Sequence, residues 1–385
     1  MAKCYPDLHQ QFLLNPEIIF LNHGSFGATP RPVFEAYQSW QRELETQPVE
    51  FLGRRAPDLL LNSRTILAKY LQTESNNLAY IPNATTGINI IARSLHLHEG
   101  DEVLATNHEY GAIDRIWTFL SEKNGFKYIN QPVYTPVSST GTVIGDLWKG
   151  VTQNTRVICI SHITSPTALI FPVSEICRKA RKTGILTVID GAHAPGQINL
   201  SLVDTEADFY TGNLHKWLCA PKGSAFLYAR HEVQPLLEPL IVSWGWRSQT
   251  PGPSVFVDYL EHTGTRDISA YLAVPDAIKF LEQNDWTEVR NRCHLLASEA
   301  SRRIKDLTGL PALSPDAPRW YAQMVSVPLP GYLDAKLFQF DLRQKFNIEI
   351  PLISWNGMNL IRISVQGYNT EKDIDALISA LTFSL

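Results

Sequence analysis

Lys216 sits in the run Thr211-Gly212-Asn213-Leu214-His215-Lys216-Trp217-Leu218-Cys219, in company of low polarity. Desolvation disfavours an ammonium ion, so such a lysine has the neutral, nucleophilic amine within reach. An exposed loop lysine is the competing reading. Upstream, Leu186-Thr187-Val188-Ile189-Asp190-Gly191-Ala192-His193 ends an apolar run in an acid. An Asp there can pair with a protonated ring nitrogen through a charge-assisted hydrogen bond, or simply cap the next loop. Pro82-Asn83-Ala84-Thr85-Thr86-Gly87 precedes the apolar Ile88-Asn89-Ile90-Ile91. Asn83 can cap a helix that starts near Ala84. Small and hydroxyl residues at a helix N-terminus suit a phosphate, although a plain cap needs the same residues. Leu360-Ile361-Arg362-Ile363-Ser364 puts an arginine inside an apolar strand, where its charge must find a partner. The planar fork suits a substrate carboxylate, and a structural salt bridge would serve as well.

These residues need a scaffold of short strands. Expected strands are Glu102–Thr106, Arg156–Ser161, Ile185–Asp190 and Ser224–Tyr228. The runs Val157–Ile160 and Ile185–Ile189 are apolar on both faces, as buried parallel strands are. Helical patterns lie between them, such as Val173–Lys182, and Pro30 and Pro32 open a helix reaching roughly Thr46. Such alternation implies an α/β fold with both sheet faces covered. Past about residue 270 the texture changes. Helices Tyr271–Gln283 and Trp286–Leu307 are followed by strand Tyr321–Val327, helix Asp334–Lys345, strand Met358–Ser364 and helix Glu371–Leu381, with a Pro-rich loop at Leu310–Pro318. The expected division is a large domain over 16–268 and a small α+β domain of 1–15 and 269–385.

Composition narrows the function. The chain has 385 residues, 44% hydrophobic and 19% charged, enough for a large core. The net charge is −4 and basic blocks are absent, which argues against a nucleic-acid or membrane-surface partner. The opening MAKCYPDLHQQF lacks an apolar segment of signal-peptide length, and no apolar run approaches the roughly 18 residues of a membrane span. A cytoplasmic protein is expected. The cysteines, Cys4, Cys159, Cys177, Cys219 and Cys293, are scattered without a CxxC, so free thiols are expected rather than disulfides or zinc. His96-Leu97-His98 reads as a solvated helix end, and no metal is expected. Trp244 and Trp246, in Ser243-Trp244-Gly245-Trp246-Arg247, suggest either an aromatic-lined substrate pocket or packing at a domain junction.

In order, the small-hydroxyl loop, the strand ending in Asp190, His215-Lys216, Gly264-Thr265 and Arg362-x-Ser364-x-x-x-Tyr368-Asn369-Thr370 resemble the class V aminotransferase family of pyridoxal 5′-phosphate (PLP) enzymes. The resemblance spans nearly the whole chain. Leu21-Asn22-His23-Gly24-Ser25-Phe26-Gly27-Ala28-Thr29-Pro30, with His262-Thr263-Gly264-Thr265-Arg266-Asp267, resembles the isopenicillin N epimerase-like branch. The resemblance implies PLP fold-type I, the aspartate aminotransferase type, with a mainly parallel seven-stranded sheet in the large domain. It implies a Schiff base on Lys216 and Asp190 on the pyridinium nitrogen. His193 would lie near the ring hydroxyl, and Ala84, Thr85, Thr86, Asn213 and His215 around the phosphate. Thr265 would reach the phosphate of a second subunit, hence a homodimer with shared sites. Tyr110 would stack on the cofactor, with His108 as the close alternative. Arg362 would bind the substrate carboxylate, and Asn22, His23 and Gly24 would line the substrate side.

Two departures qualify this. Ser165, in Ser161-His162-Ile163-Thr164-Ser165-Pro166, stands where related desulfurases carry an Asn beside the ring hydroxyl. Cysteine desulfurases also carry a mobile catalytic cysteine before the arginine, whereas no cysteine occurs from Arg319 to Leu385. The expected reaction begins with Cα deprotonation of an amino acid by Lys216. It ends as epimerisation, with Tyr110 or His108 as second acid, as transamination, or as C–S lysis by β-elimination of a cystine or sulfoxide substrate. A non-catalytic PLP-binding protein and a nucleotide-binding α/β protein are the rival classes; the second lacks a Gly-rich fingerprint.

Overall fold

The computed structural model describes residues 8–385, so Cys4 and the first part of the 1–15 segment lie outside the described residues. The strands are β1 (Ile19–Phe20), β2 (Leu78–Ile81), β3 (Glu102–Thr106), β4 (Lys127–Gln131), β5 (Thr155–Ser161), β6 (Leu186–Asp190), β7 (Phe209–Asn213), β8 (Ala225–Ala229), β9 (Met324–Leu329), β10 (Ile348–Glu349), β11 (Leu352–Trp355) and β12 (Met358–Ser364). Seven of them form one sheet in the order β2-β8-β7-β6-β5-β3-β4. Pairings from β4 through β7 are parallel, and β8 is antiparallel to both of its neighbours.

The apolar runs explain this sheet. Val157 through Ile160 are fully buried because helices cover both faces. Helix Val173–Lys182 buries Val173, Ile176, Cys177 and Ala180, the i, i+3, i+4, i+7 stripe of a core-facing helix, and turns its lysines outward. Helix Ala84–Ser94 starts where Asn83 Oδ1 accepts the Thr86 N–H at 2.8 Å. Chain order reverses across the sheet between β3 and β5, and ligands of such sheets bind outside the carboxyl ends near that point.

The C-terminal layer is the antiparallel sheet β11-β12-β9 with helices Trp286–Thr308, Ala335–Phe346 and Glu371–Ser384. Strand β9 runs through Pro328 to Leu329, past the expected end at Val327. A proline tolerates this place because β9 is an edge strand that pairs only with β12. The expected helix Tyr271–Gln283 is split into Ser269–Leu272 and Val274–Gln283, with Pro275 in the first turn of the second piece, where its missing N–H costs nothing. Strand β1 pairs in parallel with β10, Ile19 with Ile348 and Phe20 with Glu349. No helix among the described residues is long and apolar enough to cross a membrane.

Gly191 follows Asp190 at a point where a Cβ would lie 2.0 Å from the Tyr210 ring. Gly191→Ala should therefore cost about 2 kcal/mol or more through overpacking. A lower urea midpoint with unchanged slope is the expected result, and an unchanged midpoint would show that Tyr210 can move aside.

Candidate active site

The carboxyl end of β7 leads into the turn that carries Lys216. Trp217, Leu218 and Cys219 are fully buried there, and Cys219 N–H bonds back to the Lys216 carbonyl at 3.1 Å. The Lys216 amine is 3.3 Å from His193 Nε2. Burial, and then the positive charge of Arg362, push it down to about 8, against the opposing pull of Asp190. His193 completes the arrangement. Its Nδ1 lies 3.2 Å from Trp217 Nε1, which can only donate. A neutral His193 therefore carries its proton on Nε2, facing Lys216. Burial and the nearby cations keep that imidazole neutral, and Lys216 can accept its hydrogen bond only as the free amine.

Asp190 ends β6, buried, with its Oδ1 accepting the Ala192 N–H at 2.9 Å. Burial raises its carboxyl, while the Ala192 N–H and Lys216 favour the ionised form. Among the described residues no cation forms an ion pair with it. The helix start at Ala84 faces the same end of the sheet. Asn213 Oδ1 takes the Ala84 N–H at 2.9 Å and Asn83 takes that of Thr86. The N–H and hydroxyl of Thr85 have no protein partner among the described residues. His215 Nδ1 lies 3.1 Å from the Ser224 carbonyl, which turns Nε2 outward.

Arg362, on β12, is 4% exposed. Its Nη1 donates to the Ser165 carbonyl at 2.9 Å and to Ser165 Oγ at 3.0 Å, and its Nη2 donates to Ser25 Oγ at 3.1 Å. Its Nε is buried without a partner, and among the described residues no carboxylate meets the guanidinium. Burial lowers Arg362 to about 10, opposed by Tyr110. Hydroxyl and carbonyl partners offset only part of the several kcal/mol that a buried ion loses. An anionic ligand would recover much of the rest. Ser165 thus stands against Arg362.

Several expected site residues are placed differently. His23 is fully buried, with Nδ1 at 3.1 Å from Tyr368 OH and Nε2 at 3.0 Å from the Lys216 carbonyl, and burial lowers it to about 3. It braces the Lys216 turn from behind instead of lining the substrate side. A Cβ on Gly24 would meet Met324 Sδ at 2.8 Å and Ser364 Oγ at 2.9 Å, so this glycine permits close packing. Asn22 receives the Ser25 hydroxyl at 2.6 Å and donates to Glu349 at 3.2 Å, acting on Arg362 through Ser25. His108 has both nitrogens engaged, with Thr167 Oγ1 at 2.8 Å and the Val133 carbonyl at 2.9 Å, and burial lowers it to about 4. It is a neutral strut, ill suited to carry a proton. Tyr110, 50% exposed at the start of helix Gly111–Asn124, keeps its ring free. Thr265 lies in an exposed turn, and no contact of the described residues joins it to this cluster. Trp244 is 87% exposed, so packing at a domain junction does not account for it. Ser25 and Trp217 were missed as site residues; Ser25 was legible as the one hydroxyl in Asn22-His23-Gly24-Ser25.

The donor set fits a phosphorylated pyridine aldehyde: an amine lowered to about 8 and, among the described residues, an acid and a guanidinium without ion-pair partners and a helix start with an unused N–H and hydroxyl. The profile of the aminotransferase class-V family matches residues 19–377. The isopenicillin N epimerase of Amycolatopsis lactamdurans is 34% identical, over 99% of this chain and 98% of its own. A putative L-cysteine desulfhydrase of Oryza sativa subsp. japonica is 30% identical, over 94% of this chain and 82% of its own. A solved chain with glycine covalently linked to its PLP cofactor superposes with TM-score 0.83 at 23% identity, covering 98% of this chain and 99% of that one.

The rate at which cofactor-free protein captures PLP should be half-maximal near pH 8. Arg362→Met removes a repelling charge and should move that midpoint upward. A wild-type midpoint near the ordinary lysine value of about 10.4 would contradict the electrostatics described.

Proposed function

Because this chain belongs to the aminotransferase class-V family, matched over residues 19–377, we propose that it is a PLP enzyme that removes and returns the Cα proton of an amino acid, as an epimerase does. The observation that carries this is the depressed amine of Lys216 under the influence of the buried guanidinium of Arg362, whose Nε has no partner among the described residues. Bound PLP supplies an aldehyde that condenses with amines and a ring that delocalises the electron pair left at Cα.

The residues then divide the work. Arg362, backed by Ser25 and Ser165, binds the carboxylate and orients the substrate. Asp190 would accept a hydrogen bond from a protonated ring nitrogen, and Thr85 and Thr86, with Ala84, Asn213 and His215, would hold the phosphate. Lys216, half of it free as the amine near pH 8, takes the Cα proton. Return of a proton on the opposite face needs a second donor. Tyr110 is the candidate, since its phenol bears on the Arg362 charge and His108 is occupied elsewhere.

A C–S lyase is the second reading. β-Elimination needs one base and a leaving group, which Lys216 alone can serve, and a relative named as a cysteine desulfhydrase is 30% identical. In both readings the protein is a cytoplasmic homodimer with Thr265 completing the neighbouring phosphate site. The exposed Ile241, Val242, Trp244 and Val255 support a self-contact.

Incubation with L-amino acids in heavy water separates the outcomes. Cα deuterium with the D-enantiomer supports the epimerase, pyruvate with sulfide from a sulfur amino acid supports the lyase, and a stoichiometric oxo acid supports transamination. Tyr110→Phe should slow enantiomer formation by roughly 100-fold or more yet keep Cα deuterium exchange within a few-fold; equal loss of both would remove Tyr110 from the second face. In sedimentation the protein should run as a dimer, and Trp244→Asp should shift it towards monomer; a wild-type monomer that binds PLP fully would reject the shared site.

A further inference from the structure

Glu109 follows β3, next to Tyr110, and is 7% exposed. Its two carboxyl oxygens meet the hydroxyls of Thr106 at 2.6 Å and Ser161 at 2.7 Å. Among the described residues it has no cationic partner. Ser161 is the last residue of β5 and the register partner of Asp190, the last residue of β6. Register partners on parallel strands project to the same face. The hydroxyl that holds Glu109 is therefore the immediate neighbour of Asp190.

Two buried carboxyls this close cannot both ionise cheaply. Among the groups that face Glu109 only the hydroxyls of Ser161 and Thr106 favour its ionised form. With Thr106, the facing groups are Asp190 from β6, Asp114 from helix Gly111–Asn124, Cys159 and Ser161 from β5 and Tyr128 from β4, none of them cationic. Asp190 has the Ala192 N–H and the Lys216 charge in its favour. Glu109 has hydroxyls only. The single negative charge settles on Asp190, and burial, aided by the Asp190 charge, pushes Glu109 up to about 7.

We infer that Glu109 is a positioning residue for Asp190: an acid held behind it through Ser161, which keeps its proton so that one negative charge, and not two, faces the cofactor ring. This rests on Asp190 being the ring-nitrogen partner.

Infrared spectroscopy of the cofactor-free protein tests the proton directly. Wild type at pH 6 should show a protonated-carboxyl stretch that Glu109→Gln lacks, fading as pH rises through about 7. Ser161→Ala removes a donor to the ionised form, so the band should persist to higher pH; this variant also decides the matter if Glu109→Gln does not fold. In the loaded protein the visible cofactor band should show a step near the same pH that Glu109→Gln loses. Absence of the infrared band at pH 6, or no shift in Ser161→Ala, overturns the proposal. A band present without any change in the cofactor titration reduces Glu109 to a structural acid and also overturns it. Asp190→Asn with an unaltered cofactor band would instead sink the ring-nitrogen reading, while the infrared result still speaks for Glu109 alone.

Discussion

Lys216 and Arg362 lie near enough for the guanidinium charge to bear on the amine, with Asp190 as the acid set against it. Repulsion between like charges at low dielectric has to be relieved somewhere. A guanidinium holds its proton more firmly than an ammonium, so the lysine gives way. Much of the surrounding structure serves this outcome. Trp217 fixes the His193 tautomer that can donate to a free amine, and His23 pins the carbonyl of the same turn. Ser25 and Ser165 hold the guanidinium without neutralising it.

The strands and the phosphate-type helix start were legible in the sequence for physical reasons. A run apolar on both faces that ends in an acid, as at Ile189-Asp190, has few places in a sheet other than a carboxyl end. Asn83 before a hydroxyl pair has one obvious use. Loop residues were less legible. His23 and Gly24 sit in a motif whose presence could be read, but the side chain of a loop residue takes its direction from distant contacts such as Tyr368 and Met324. The same holds for Arg362, whose lack of a counter-ion depends on every element around it. Glu109 was hidden because a lone acid between His108 and Tyr110 reads as surface charge until the strand register shows it buried.

Cysteine desulfurization by a mobile thiol is not a route open to this C-terminal layer. No cysteine occurs after Cys293, and Cys293 is fully buried in helix Trp286–Thr308, where burial pushes its thiol up to about 12. An inert thiol of this kind neither attacks sulfur nor moves.

Strand β1 pairs with β10, and Asn22 bridges to Ser364, so the loop bearing Ser25 is stitched to the layer that carries Arg362. Asp190 stands on the large sheet and Lys216 in the turn after β7, and Ser165 joins this side to the guanidinium. In the proposed reaction the carboxylate end of a substrate would be gripped by one layer and its Cα by the other. Any hinge between them would make the bound molecule a strut whose length sets the angle of closure. An amino acid with its carboxylate one bond from Cα would draw the layers to one fixed separation, and a longer spacing would jam them apart, so selectivity for α-amino acids becomes a matter of mechanical fit.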